Sequence, residues 1–378
     1  MNQSIQTPAR KRLLSRLLWG LGASALLFSL LFLCALMGIR AMCADIAGFD
    51  AARRWQAEDS AHPYTRLSLY FDSTAALDLN DVYLHRMNLT QTLEGNALAA
   101  PEGTSVFIDA FSGETELSVT TDRASIRTAA TVCGGDFFFF HPLDWIHGGG
   151  FSEDDLDVHT VVLDEYAAWQ LFGASEVAGM DVTIDGQRFR IAGVCRKPTD
   201  PLDAAVWGDT PRIFVNYIGL RMTNGYDRAT GYEIILPNPI DGFAHGILKQ
   251  EFSVTETSAN AVLSEESERF TLETLARASA DFFMRSVRRD RILPPFWENR
   301  IRVTETKAIV AAFFGAVCGM TALLCAVGFV ILWFTRHPFR MAPLYHFIYD
   351  RYEARRMKRW LKQQSSADHP SEPPVGNP

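Results

Sequence analysis

Leu17 to Ile39 reads LLWGLGASALLFSLLFLCALMGI, 23 residues without a charge. Ala308 to Phe334, AIVAAFFGAVCGMTALLCAVGFVILWF, is a second uncharged run, of 27. An α-helix rises about 1.5 Å per residue, so about 20 residues cross a hydrocarbon core about 30 Å thick. Neither run carries the polar stripe of a helix buried in a soluble core. Both read as transmembrane helices. The first is longer than the roughly 7–15 apolar residues of a secretory signal and is followed by no small-x-small cleavage pattern. Leu31-Phe32-Leu33, ahead of Cys34, lacks the small residue of a lipoprotein site. A retained anchor is expected.

Lys and Arg near the spans set their orientation. Arg10, Lys11, Arg12 and Arg16 precede the first span with no acid among them. Eight basic residues follow the second, from Arg336 to Lys362, against four acidic ones. The 268 residues between, Arg40 to Lys307, hold 40 acidic and 24 basic side chains, a net of −16 within a 378-residue whole of −8. Both termini are expected in the cytoplasm and the acidic middle outside the plasma membrane. An acidic chain lacks the basic field of a general nucleic-acid binder. With 48% apolar residues it is also no charge-dominated disordered chain. The expected fold class is an α+β extracytoplasmic domain inserted between two transmembrane α-helices. Its parts are a cytoplasmic N-terminus (1–16), helix 1 (17–39), a core domain (40–264), a helical stalk (265–307), helix 2 (308–334) and a basic cytoplasmic tail (335–378).

Within the middle, Thr65 to Asp72 alternates, with Leu67, Leu69 and Phe71 on one face, as a half-buried strand does. Leu79, Val82, Tyr83 and Met87 fall at helical spacing within Asp78 to Leu93. Ser105 to Phe111 and Glu116 to Thr121 read as two strands. Phe137 to Phe140 cannot all face one core, so part of that run is expected to meet another subdomain or chain. Thr160 to Leu163 is a short strand, Asp164 a cap for a helix over Glu165 to Phe172, and Gly173 its left-handed end. Asp181 to Ile184 and Gln187 to Val194 flank Asp185-Gly186, a two-residue hairpin turn. Pro211 to Tyr217 and Tyr232 to Leu236 read as strands, and Ile240 to Phe252 and Glu265 to Val287 as helices. Pro294-Pro295 then interrupts the path to the second span.

An ordered set of these segments carries a resemblance. It comprises Cys133-Gly134-Gly135-Asp136-Phe137-Phe138, Gly149-Gly150-Phe151-Ser152-Glu153-Asp154-Asp155, Val161-Val162-Leu163-Asp164-Glu165, Leu171-Phe172-Gly173, Gly179-Met180-Asp181-Val182 and Phe189-Arg190-Ile191-Ala192-Gly193-Val194. The set resembles the MacB-like periplasmic core domain, which lies between the first two membrane helices of MacB/FtsX-type ABC transporter permeases. The resemblance implies a permease-like or accessory subunit with no catalytic site of its own, energised by a separate ABC ATPase or joined to a full-length permease. In this family pattern Gly134, Gly135, Asp136, Phe137, Phe172, Gly173, Gly179 and Gly193 have structural roles, in turns, close backbone approach and core packing. Such permeases continue with two further spans and a glycine-containing coupling segment. This sequence ends after its second span, and Arg340 to Lys362 has no such glycines. A subunit, accessory protein or regulator is therefore expected. No P-loop pattern occurs, so ATP binding by that route is not expected.

Other residues are candidates by their chemistry. Cys133 and Cys195 are the two cysteines in the body of the outer domain, either a bridge in an oxidising compartment or two small buried residues. His141, His147 and His159 flank the acidic run Glu153, Asp154, Asp155 and Asp157, but at no compact ligand spacing, so a solvated loop is expected and no metal or cofactor. No nucleophile motif such as Gly-x-Ser-x-Gly is present, and no enzyme is expected. Ala311, Gly315 and Gly319, four apart, offer a small-residue face for helix packing within the chain, in a homo-oligomer or with a partner. The tail interleaves Tyr345, Phe347, Tyr352 and Trp360 with basic residues. It suits a helix on anionic membrane lipid, a docking element for an ATPase, or a plain topology anchor. A two-span sensor or recognition protein is the alternative to a transport component.

Overall fold

The computed structural model describes residues 8–44, 46, 48–56, 62–98, 105–254, 260–266, 269–280, 295–336 and 351–358. The chain divides into two units, Leu33–Gly315 and a second made of Met1–Phe32 with Ala316–Pro378. Two long helices, α1 (Pro8–Ala44) and the last of the numbered helices, α10 (Phe296–Arg336), are long and apolar enough to cross a bilayer. They expose large apolar side chains: Trp19, Leu26 and Phe313 are each more than 70% accessible. Such a surface is stable against hydrocarbon and not against water.

Among the described residues, ten strands build the outer domain. They are β1 (Tyr64–Phe71), β2 (Ile108–Thr120), β3 (Ser125–Gly135), β4 (Trp145–Gly148), β5 (Thr160–Asp164), β6 (Asp181–Ile184), β7 (Gln187–Cys195), β8 (Arg212–Asn216), β9 (Gly231–Pro237) and β10 (Ala261–Glu265). Their order is β10-β1-β9-β2-β3-β8-β5-β7-β4, and β6 pairs with both β7 and β2. The pairing β2-β3-β8-β5-β7-β6 therefore returns to β2 and closes a ring of six strands. Closure leaves those strands without a free edge. The β3/β8 and β5/β7 pairs are parallel and the rest of the ring is antiparallel. From the first half of β2, an antiparallel sheet runs through β9 and β1 to β10.

Alternation along the strands sorts side chains into two cores. Val161, Leu163, Ile213 and Val215 join one, with Val119, Phe189 and Ile191. That core continues under α3 (Leu79–Gly95), α5 (Glu165–Phe172) and α8 (Phe243–Glu251) through Val82, Leu89, Leu171 and Leu248. Val162, Phe214, Cys133 and Cys195 face the other core, with Ala51 and Ala52 of α2 (Ala51–Trp55), Phe137 and Phe140 of α4 (Phe137–Phe140), Trp207 of α6 (Pro201–Trp207), and Trp297 of α10.

Local chemistry explains several elements. Asp78 and Asp81 form a reciprocal capping box on α3. Asp164 Oδ1 accepts from Ala167 N at 2.7 Å to start α5, and Gly173 ends it at φ 71°. Asp185 and Gly186, at φ 49° and 83°, make the two-residue turn between β6 and β7. Other expectations are corrected. Ser105 to Phe111 and Glu116 to Thr121 belong largely to one strand, because β2 pairs with β3 at eleven positions straight through the polar Ser112–Thr115. β1 is buried on both faces, with Arg66, Ser68 and Tyr70 covered as fully as Leu67 and Leu69. The strand ending at Asn216 passes directly into α7 (Tyr217–Asn224), capped by Asn216 Oδ1 on Gly219 N at 3.2 Å. The helix expected over Glu265 to Val287 begins as β10 and becomes α9 only at Leu272–Ala280, while 281–287 lie outside the described residues. Of the basic tail, a helix over 351–358 is described. Its end, Ser365 to Pro378, lies outside the described residues.

Candidate functional site

The first turns of α10 run against the second core, and buried charges gather around that junction. Glu233 on β9 lies opposite Ser68 of β1 and diagonal to Arg66. Arg66 Nη2 donates to Glu233 Oε1 at 2.7 Å and Nη1 to the Gly48 carbonyl at 2.8 Å. Ser68 Oγ donates to the same carboxylate oxygen at 3.1 Å, and His141 Nε2 holds Oε2. Burial alone would push the Glu233 carboxyl up, but His141 and Arg66 overcome it and hold the group at about 2. Burial pushes the His141 imidazole down despite Glu233.

A second cluster lies on α10 itself. Residues 298, 302 and 305 share one helix face by their spacing. Arg269 grips Glu298 with two bonds of 2.8 Å and Glu266 at 3.0 Å, and reaches Glu305 at 3.4 Å. Arg302 Nε adds a 2.7 Å bond to Glu298. Burial pushes both carboxyls up. Arg269 and Arg302 outweigh it at Glu298, which is lowered, whereas Glu266 stays raised beside the Glu298 charge. Tyr70, fully buried near both clusters, is pushed far up by burial and by Glu298, Glu233 and Glu266.

The opposite face of α10 is aromatic. Trp297 packs on His141 at 4.4 Å and Phe137 at 5.4 Å between ring centres, and Phe296 on Trp207 at 5.0 Å. A cavity of about 350 Å³ opens beside them, walled by Phe296, Trp297, Ile301, Trp207 and Leu143. Paired charges also line it: Arg196 with Asp144 at 3.2 Å, and Arg300 with Asp203. Near one end of β2, Arg86 clamps Asp109 (2.7 and 2.8 Å) and Glu153 (3.0 and 2.8 Å). Tyr232 donates to Asp109 at 2.7 Å and Tyr83 to Glu153 at 2.9 Å. The loop expected to be solvated is thus tied to the domain at Glu153.

In sequence, residues 52–239 match the family model of the MacB-like periplasmic core domain. The outer domain is a MacB-like periplasmic core domain. Similar solved structures include the extracellular domain of the noncanonic ABC-type transporter YknZ from Gram-positive bacteria, at 13% identity and TM-score 0.35, covering 53% of this chain and 98% of that one. Another is the periplasmic region of MacB from Actinobacillus actinomycetemcomitans, at 14% and 0.39, covering 57% and 93%. A third is a domain of a putative permease from Porphyromonas gingivalis, at 11% and 0.32, covering 62% and 99%. No curated protein matches the sequence. A MacB-like domain flanked by two apolar helices makes the chain a membrane protein of the transporter-component class with an extracytoplasmic domain.

In the MacB-like domain, Gly134 and Gly135 end β3. Gly135 has φ 65°, and a Cβ there would lie 2.5 Å from the Asp109 carbonyl oxygen. Asp136 precedes α4, its carboxyl raised by burial and by Asp109 and Asp154. Phe137 is buried in the aromatic junction, Phe172 ends α5 and packs on the first core, and Gly179 lies between α5 and β6. Gly193 on β7 meets the Gly149 backbone. The Phe137–Phe140 run, expected to meet another subdomain, joins the core around Trp297 through Phe137 and Phe140, with Phe138 and Phe139 packed at its edge.

The Cys133–Cys195 bridge is corrected. β8 and β5 stand between β3 and β7, so the two residues lie on strands that do not pair with each other, and both are free. Both are buried thiols pushed up by burial. The histidines part company: His141 turns inward to Glu233, His159 packs on Phe189 and His147 is exposed on β4. Ala311 packs beside Ile39, Leu275 and Ala308, Gly315 is buried, and the position of a Cβ on Gly319 lies 3.3 Å from the Phe32 ring. The sequence reading missed Arg66, Glu233, Arg269 and Glu298. Its available signal was a charge inside an apolar strand, as in Gly231-Tyr232-Glu233-Ile234-Ile235.

Proposed function

We propose that this chain is a non-catalytic membrane component of an ABC-type transport or mechanotransmission system, whose outer domain engages a substrate or partner. The observation that carries the reading is the seating of α10. Its first three turns are fixed in the MacB-like domain by Trp297 on one face and Glu298 on the other, and the same helix continues into the uncharged run from Ala308. Buried charge pairs with two-sided hydrogen bonding hold geometry more strictly than apolar contact does. A displacement of the outer domain is then passed to the helix at its base.

In this proposal residues 17–39 and 308–334 span the membrane, with both termini in the cytoplasm. Residues 296–307 act as the membrane-proximal part of the stalk. Ala311, Gly315 and Gly319 form the seat of helix–helix contact, and the basic tail meets inner-leaflet lipid. Energy comes from a separate ABC ATPase, the partner class with which this family works. Cross-linking in native membranes, with the full chain as bait, tests the reading. Capture of an ABC ATPase or a full-length permease is the expected result. Capture of neither, with the chain intact, refutes it in favour of a recognition protein.

A further inference from the structure

α3, α7 and the loop between β4 and β5 converge on one face of the outer domain. Tyr83 of α3 donates to Glu153 of the loop at 2.9 Å. At the other end of the loop, a Cβ on Gly219 of α7 would collide with the Val158 carbonyl oxygen, so glycine lets the two backbones touch. Leu156 stands between these two anchors and is wholly exposed. Met222 follows Gly219 by three residues and Met87 follows Tyr83 by four, each on the same helix face as the residue before it. Both methionines are more than half exposed, and Tyr83 and Leu84 are exposed beside Met87. Single exposed apolar residues need no explanation, but a patch drawn from three elements marks an interaction surface. Met and Tyr are enriched in such surfaces.

Charge decides what can cover it. Leu156 is set in Glu153-Asp154-Asp155-Leu156-Asp157, and Glu94 lies seven residues on from Met87 along the same face of α3. The arginines of these elements are already engaged: Arg86 by Asp109 and Glu153, and Arg221 by Asp227 at 2.6 Å. The border of the patch is therefore negative, within a middle section of net −16. Anionic lipid and nucleic acid are repelled by it. A second copy docking face to face would bring the same sign to the contact. A partner whose apolar side chains are rimmed by Lys and Arg complements both the patch and its border. Tyr83 and Met87 make one i, i+4 ridge, the spacing against which the apolar stripe of a facing helix packs.

We propose that this face docks another protein through a Lys/Arg-rimmed amphipathic helix, with Leu156 at the centre of the contact. The proposal rests on the transport reading for the outer domain having a partner, and supplies the chemistry of that partner.

The probe is a fluorescein-labelled amphipathic helix built of Leu and Lys, with a Leu/Glu peptide of the same pattern as its counterpart. Fluorescence anisotropy is read with the full chain in phosphatidylcholine nanodiscs, and empty nanodiscs give the blank. Saturable binding of the Leu/Lys peptide above the blank is expected, and none of the Leu/Glu peptide. Leu156→Ser, at a site too exposed to affect folding, should weaken binding about ten-fold or more, the worth of one buried Leu. Asp154→Asn with Asp155→Asn should weaken it about two-fold or more at low salt and by less at high salt. Trp169→Ser, at an exposed position on α5, should leave binding unchanged. Equal binding of the two peptides, wild-type binding by Leu156→Ser, or equal losses in Leu156→Ser and Trp169→Ser would overturn the proposal. Pairing of nanodiscs without peptide that Leu156→Ser abolishes would assign the face to a second copy and overturn it as well. No ATPase or permease enters the assay, so failure here leaves the transport reading standing.

Discussion

Replacing Arg269 by Met should destabilise the outer domain more than any other single charge removal around α10. Arg269 is the group that Glu266, Glu298 and Glu305 share, and its removal takes the nearest positive charge from three buried carboxylates. Removing one partner of a buried ion pair costs about 3–5 kcal/mol, because the other charge remains unsatisfied. For a domain of this size each kcal/mol moves the melting temperature by about 2–4 °C, so a fall of about 6–20 °C is expected. The loss has a sign in pH. Arg269 lowers both Glu266 and Glu298, and its removal raises both in the folded state above their unfolded values. A group whose folded pKa is raised binds its proton more tightly when folded, so its penalty is absent at low pH and grows as pH rises. The deficit of Arg269→Met should therefore be smaller at pH 5 than at pH 8. Intrinsic tryptophan fluorescence of the full chain in nanodiscs, heated at both pH values, reads it directly. Adding Glu266→Gln and Glu298→Gln to Arg269→Met should restore at least half of the loss, since neutral groups carry no such charge penalty. An Arg269→Met variant melting within 2 °C of the wild type at pH 8, or a triple variant no better than the single, would refute the account of this cluster.

Three further outcomes follow from named contacts. Glu233, held at about 2, contributes stability that is complete above its ordinary value near 4.5 and is lost as pH falls toward 2, on the order of 3 kcal/mol. Glu233→Gln should flatten the acid side of the melting profile, and an unchanged acid slope would assign that loss to other groups. Gly135→Ala meets both a positive φ and the Asp109 carbonyl, at a cost of about 2 kcal/mol or more. The same melting assay should show a drop of several degrees, and a neutral result would mean the β3 end relaxes freely. Reductant should leave the melting temperature unchanged, and both Cys133 and Cys195 should react with a maleimide only after unfolding. A reductant-sensitive melt would restore the bridge.

What could be read in advance follows the range of the physics involved. The α5 cap at Asp164, the Gly173 stop and the Asp185-Gly186 turn rest on contacts within four residues, and sequence displays them directly. β2 reads as two strands in sequence because Ser112-Gly113-Glu114-Thr115 looks like a turn by composition. It stays extended because β3 pairs along its whole length, a non-local cause. The polar face of β1 reads as a solvent face for the same reason. Alternation shows that Arg66 and Ser68 lie opposite Leu67, but not that α2 and α4 will cover them. The buried charges followed suit: Arg66, Glu233 and Arg269 each look ordinary in their own segment. The two apolar runs were legible because length and the absence of charge suffice.

The two kinds of contact at the base of α10 answer different mechanical demands. Trp297 and Phe296 bury area, which supplies attraction but tolerates sliding, since dispersion is non-directional. Glu298 is held by two 2.8 Å bonds from Arg269, a geometry that a small rotation of the helix breaks. Residues 296–307 contain no glycine and no proline, so the helix has no built-in hinge between that grip and Ala308. Glu298 and Arg302, one turn apart and bonded at 2.7 Å, stiffen the same stretch. On the proposed reading, a tilt imposed on the outer domain therefore has to appear as tilt or rotation of α10 at Ala308, unless the Arg269 cluster opens first. Arg269→Met should uncouple the two: helix–helix cross-links at Gly319 should stop depending on whether a ligand occupies the outer domain, while the unaltered chain keeps that dependence.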